Sequence, residues 1–135
     1  MSKAIETIEG IGPTFGATLR EAGIKTVDDL LDAACDKKGR AKLAEKTSIT
    51  EARLLKCVNM ADLFRIKGVA SQYAELLEGA GVDTVKELKH RNAENLAAKM
   101  AEVNAEKKLV RQTPSVKVIS GWIVQAKDLP AKITH

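Results

Sequence analysis

Apolar residues recur three and four places apart along most of the chain, the spacing that lines one face of an α-helix. Phe15, Leu19 and Ala22 follow it, as do Val27, Leu30 and Leu31, then Leu54 and Val58, then Ile119, Trp122, Ile123 and Ala126. Asn92 to Val110 reads as one long helix with Leu96, Met100, Val103 and Leu109 on its buried face. Start signals sit where the pattern resumes. Thr26-Val27-Asp28-Asp29 and Thr84-Val85-Lys86-Glu87 each place a hydroxyl three residues before a carboxylate, the spacing of a capping box. Ser48-Ile49-Thr50-Glu51 repeats that signature, and Thr113-Pro114 offers a cap followed by proline at the first helical position. Gly23 and Gly81 fall just past apolar stretches, where a left-handed residue closes a helix. The expected fold class is all-α.

The same pattern is written twice. A shift of 58 places lays Ile8 on Ile66, Gly10 on Gly68, Ile11 on Val69, Phe15 on Tyr73 and Leu19 on Leu77, and continues through Gly23 on Gly81, Thr26 on Thr84 and Leu30 on Leu88. Thr47 to Leu63 and Thr113 to Leu129 are related by a shift of 66, so the second copy carries eight extra residues between Leu88 and Thr113. Each copy reads as about five short helices in roughly 60 residues. The expected division is residues 1–61 for the first copy and 62–135 for the second, whose fourth helix is the longer. No Pro-, Gly- or Ser-rich linker separates them, so a single pseudo-symmetric unit is expected, with two independent beads as the alternative. The expected core is Ile5, Ile8, Phe15, Leu19, Ala22, Val27, Leu30, Leu31, Leu54 and Val58, with Leu63, Ile66, Tyr73, Leu77, Val85 and Leu88 in the second copy.

Composition narrows the chemistry. A 44 % hydrophobic content in 135 residues builds a core and excludes a disordered tail, while 3 % aromatics argues against a β-barrel. No run approaches the roughly 18 to 20 apolar residues of a membrane span, and the first residues lack the apolar centre of a signal peptide, so no membrane partner and a cytoplasmic location are expected. Cys35 and Cys57 stand far apart without a ligand-spaced neighbour and read as small interior hydrophobes. His90 and His135 are isolated. No phosphate loop, nucleophile elbow, zinc ligand set or carboxylate pair is recognisable, and the expectation is a non-enzyme with no cofactor, metal or catalytic residue. The net charge of +4 permits contact with a polyanion. It leans towards the second copy, with ten basic against nine acidic residues up to Ala61 and twelve against nine from Asp62 on.

Ile8-Glu9-Gly10-Ile11-Gly12-Pro13 lies between two short amphipathic segments, in a turn brief enough to need glycine backbone. In sequence, Ile8, Gly10, Ile11, Gly12, Gly16 and Leu19 resemble the helix-hairpin-helix family pattern of hydrophobic, any, glycine, hydrophobic, glycine, then a small and a later apolar residue. Ile66-Lys67-Gly68-Val69-Ala70-Ser71 with Ala74 repeats it. The second copy departs at Ala70, which replaces the second glycine, and the first at Thr14, where family members often carry a basic side chain. From about Ile5 to Leu129 the whole chain is similar to a bacterial family of helix-hairpin-helix relatives of unassigned function. The resemblance implies contact with DNA irrespective of sequence, through N–H groups at the start of the second helix of each hairpin. Elementary electrostatics agrees, because unpaired amides and the helix dipole make an anion site.

The expected nucleic-acid contacts are therefore Gly10, Ile11, Gly12 and Thr14 in the first copy and Arg65, Lys67, Gly68, Val69, Ala70 and Ser71 in the second. Glu6 and Glu9 put carboxylates beside the first turn, whereas Lys86, Lys89 and Arg91 add positive charge near the second. The expected function is that of an accessory protein binding double-stranded DNA through its phosphates. A protein–protein interaction module is the alternative, motivated by the acidic first turn.

Overall fold

A computed structural model describes residues 3–8 and 10–134; Glu9 and His135 lie outside the described residues. Among the described residues all regular structure is helical, apart from one isolated bridge between Ala4 and Thr26. Among the described residues no helix is long and apolar enough to cross a membrane. The chain divides into two compact units, Met1–Asp62 together with Lys132–His135, and Leu63–Ala131. The end of the chain thus joins the first unit, whereas the sequence division placed it with the second copy.

In the first unit a 3-10 turn, Ile5–Thr7, precedes α1 (Pro13–Glu21), α2 (Val27–Ala34), α3 (Lys37–Thr47) and α4 (Glu51–Leu63). Ile5, Leu19, Leu30, Leu54 and Val58 are fully buried here. At about 1.5–3 kcal/mol for each buried side chain of this size, this apolar set is the main stabilising term. The 3-10 turn packs on α1 and α2, and α2 packs on α3. The capping box at α2 is complete: the Asp29 N–H donates to Thr26 Oγ1 and the Thr26 N–H donates to Asp29 Oδ2, both at 3.1 Å. A further N–H from Lys25 reaches the same carboxylate, and these amides, Lys25 foremost, hold the Asp29 pKa below the ordinary aspartate range.

The end of the chain is fastened onto this unit by a buried arginine. Arg40 donates to the carbonyls of Ala34 (2.9 Å) and Thr134 (2.6 Å), and the Thr134 N–H donates to the Cys35 carbonyl (2.8 Å). Ile133 is buried between these anchors in sequence, and Lys132 pairs with Asp32 at 2.7 Å. A buried guanidinium is tolerated because carbonyl oxygens replace its water.

In the second unit α5 (Ser71–Gly79), α6 (Val85–Leu88), α7 (Ala93–Lys107) and α8 (Val116–Asp128) enclose Leu76, Leu77, Leu88, Met100 and Ile119. Helix α7 packs on α5 and α8, and α6 packs on α8. Four helices stand here instead of the expected five, since residues 63–65, the counterpart of the 3-10 turn, are the end of α4 and the turn behind it. The expected long helix over Asn92 to Val110 stops at Lys107, because Lys108 turns left-handed (φ 53°) and its N–H donates to the Asn104 carbonyl at 2.8 Å. The Asn104 side chain then exchanges two hydrogen bonds with the Val110 backbone, both at 3.0 Å, which fixes the chain beyond the helix and leaves Leu109 half-buried.

Helix α3 closes the same way at Ser48 (φ 61°), so Ser48 is a C-cap and Thr50 caps α4, accepting from the Arg53 N–H at 3.2 Å. Similarly Ser115, and not Thr113, caps α8, accepting from the Val118 N–H at 3.2 Å. The eight extra residues are therefore spread between a longer α7 and a longer segment before α8, where residues 108–115 stand against 48–50 in the first unit.

Candidate nucleic-acid interface

The two glycine turns have one backbone. Gly10 and Gly68 adopt φ of +92° and +96°, a region that a side chain makes costly. Behind each, a buried apolar residue closes the turn: the Ile11 N–H donates to the Ile8 carbonyl at 3.1 Å and the Val69 N–H to the Ile66 carbonyl at 3.2 Å. Gly12 (φ −86°) and Ala70 (φ −97°) then sit extended at the N-caps of α1 and α5. Both φ values are negative, so Ala70 meets the conformational demand as well as glycine does.

Neither cap has a side-chain acceptor. Among the described residues, Thr26, Asp36, Thr50, Thr84, Asn92 and Ser115 cap the other six helices through their own oxygens. Helices α1 and α5, the two that follow the glycine turns, begin with none. In α5 the first-turn amides of Ser71, Gln72 and Tyr73 are left without an acceptor among the described residues. Proline at the first position of α1 reduces the open donors there to Thr14 and Phe15. Thr14 is exposed, and its carbonyl accepts from Thr18 Oγ1 at 3.1 Å.

Charge around the turns differs from the sequence expectation. Glu6 is not a free carboxylate: Arg20 grips both its oxygens, at 2.8 Å and 2.7 Å, lowering its pKa to about 2. Gly16 leaves room for this pair, since a Cβ there would meet Glu6 Oε2 at 2.5 Å. In the second unit the expected contact Arg65 donates to the Pro130 carbonyl at 2.7 Å, Arg91 to the Gly81 carbonyl at 2.9 Å, and Lys89 to the Leu129 carbonyl at 3.5 Å. Each of these cations serves a carbonyl at or just past the end of a helix, Gly81 behind α5 and Leu129 and Pro130 behind α8. Lys67 differs. Its backbone is clamped by Gln125, whose Oε1 accepts from the Lys67 N–H (2.8 Å) while its Nε2 donates to the Lys67 carbonyl (3.2 Å). Its ammonium has no partner among the described residues and faces solvent.

Sequence periodicity did not point to Gln125; Trp122, which it placed on a buried helix face, is buried and lies against Gly68, a Cβ there coming within 3.2 Å of Trp122 Nε1. Phe15 and Tyr73, expected in the core, are only half-buried. Each ring is covered differently. The Arg53 guanidinium stacks 4.3 Å above Phe15, whereas Tyr73 meets Trp122 at 5.6 Å between centroids. Ala22 is likewise half-buried. In the second unit, the first turn of α5 borders a cleft of about 820 Å³, whose other wall is the segment after α7.

The architecture defines an all-helical protein with a repeated glycine turn, each turn opening onto a helix without a side-chain cap. By its sequence the chain belongs to the family described as Domain of unknown function (DUF4332), whose model matches residues 9–129. No solved structure matches the chain.

Proposed function

We propose that the protein is a nucleic-acid-binding accessory protein of the helix-hairpin-helix kind, which holds the phosphates of double-stranded DNA without regard to sequence. What carries this reading is the pairing of the repeated turn with an uncapped helix start at Gly12 and at Ala70, while every other α-helix of the described chain has a side-chain cap. Open amides at the positive end of a helix favour a phosphate oxygen. The second turn is the stronger contact, with three open amides, a buried Val69 holding the turn and an exposed lysine, Lys67, within the turn itself. Gly10, Ile11, Gly12 and Thr14 form the weaker one, with two amides and no unpaired cation in the turn. Arg65, the remaining expected contact, also holds the Pro130 carbonyl.

Fluorescence anisotropy of a random-sequence duplex tests the assignment. Lys67→Glu places a negative charge at the second turn and weakens binding about tenfold at low salt, whereas Thr14→Glu weakens it by about twofold or less. Equal affinity of wild type and Lys67→Glu removes the second turn from the reading. A protein-interaction role is favoured by a separate observation, the exposed Val116, Val118 and Val124 of α8. Val124→Glu abolishes a partner contact of that kind and leaves DNA affinity unchanged.

A further inference from the structure

The second copy exceeds the first by eight residues. Part of that excess lengthens the segment between α7 and α8, and that segment forms one wall of the cleft beside the start of α5. Lys108 and Arg111 stand on this wall; neither has an acidic or carbonyl partner among the described residues, and no carboxylate lines the cleft. Leu109 and Val110 add an aliphatic surface, held in place by the bonds between Asn104 and the Val110 backbone. The opposite wall is Ala70, Gln72 and Tyr73, the cap and first turn of α5.

From this arrangement we infer that the cleft takes one unpaired nucleotide of a nucleic-acid strand, its phosphate between the α5 amides and the cations Lys108 and Arg111, its base against Tyr73, Leu109 and Val110. The inference rests on the nucleic-acid reading above and names the form of nucleic acid that the second unit selects. Its volume lies within the range of roughly 300–1,000 Å³ of small-molecule sites, so it is too large for a phosphate alone. A duplex keeps its bases stacked inside and offers only its backbone to a concave wall. A single strand can splay a base onto an aromatic or aliphatic surface while its phosphate meets cations. The first unit differs where this matters: only residues 48–50 join α3 to α4, and the ring of Phe15 is covered by Arg53.

Trp122, the sole tryptophan, packs on Tyr73, so filling the cleft changes its emission. The test is a titration of the full chain and of Arg111→Glu with a labelled single strand of mixed sequence and with a blunt duplex of equal length, followed by anisotropy and by Trp122 fluorescence. Arg111 is exposed in a loop, and circular dichroism checks that the variant is folded. The expected result is at least fivefold tighter binding of the single strand, a change in Trp122 emission with that strand only, and loss of the advantage in Arg111→Glu, which weakens the single strand at least fivefold more than the duplex. Equal affinities for the two forms, or an Arg111→Glu effect shared equally by both, overturn the cleft assignment and leave the duplex reading standing. Failure to bind either form overturns both.

Discussion

Gly10 and Gly68 do the same work 58 residues apart, and the cost of replacing them follows from φ near +95°, where an L side chain adds about 1–3 kcal/mol of strain. Gly10→Ala and Gly68→Ala are each expected to lower stability by that order in chemical denaturation. Gly68→Ala loses the more, because its Cβ also presses on Trp122, while a Cβ at Gly10 meets nothing within 4 Å. A second residue-scale outcome concerns acid. Glu6 has its pKa lowered from 4.5 to about 2, chiefly by the hydrogen bond from Arg20. A depressed carboxylate pKa contributes stability that is fully present above pH 4.5 and disappears as pH falls through about 2. Arg20→Gln should return the Glu6 carboxyl, followed by its 13C shift, to the ordinary glutamate range and flatten that part of the acid-side loss of Tm. An unchanged Glu6 titration would contradict the pairing. The turn glycines were legible in the sequence because backbone conformation is a local property of the residue. The fate of Arg65 was not, since its partner is the carbonyl of Pro130, 65 residues away, and a carbonyl leaves no mark on residue type.

Helix starts were legible wherever a hydroxyl had a single choice of helix. Thr26 and Thr84 cap α2 and α6 as their spacing predicts, although in α6 the Glu87 carboxylate turns away to Arg91 and the box is half made. Ser48 and Thr113 misled the reading for a common reason: each has a second hydroxyl two residues later, Thr50 and Ser115, and the later one caps the helix. The left-handed stops at Ser48 and Lys108 had no glycine to announce them. The docking of residues 132–134 was also hidden, because it depends on Arg40, which in sequence is one cation among several on a polar helix. Arg40→Ala removes two hydrogen bonds from a buried charged group, each worth about 1.5–3 kcal/mol. It is expected to destabilise the first unit by about 2 kcal/mol or more and to speed hydrogen exchange at the Thr134 amide. Wild-type protection there in Arg40→Ala would show that Ile133 and Lys132 suffice to hold the segment.

Across the whole molecule the duplicated plan has diverged in a consistent direction. The first unit pairs Glu6 with Arg20, covers Phe15 with Arg53 and gives its helix start to proline. The second keeps Lys67 unpaired, leaves three amides open and gains a cleft from its extra residues. The shift of 58 made the repetition visible in the sequence, and the change to a shift of 66 marked where the copies part, though not that the difference would border the start of α5. The central claim is that these turns hold phosphate, and the direct test is the affinity of the wild-type chain for a random-sequence duplex over a series of salt concentrations. The account predicts micromolar or tighter binding at low salt that falls linearly on a logarithmic scale, with a slope of about −0.9 for each phosphate engaged. Absence of binding at the lowest salt, or an affinity indifferent to salt, would contradict it and make both turns structural.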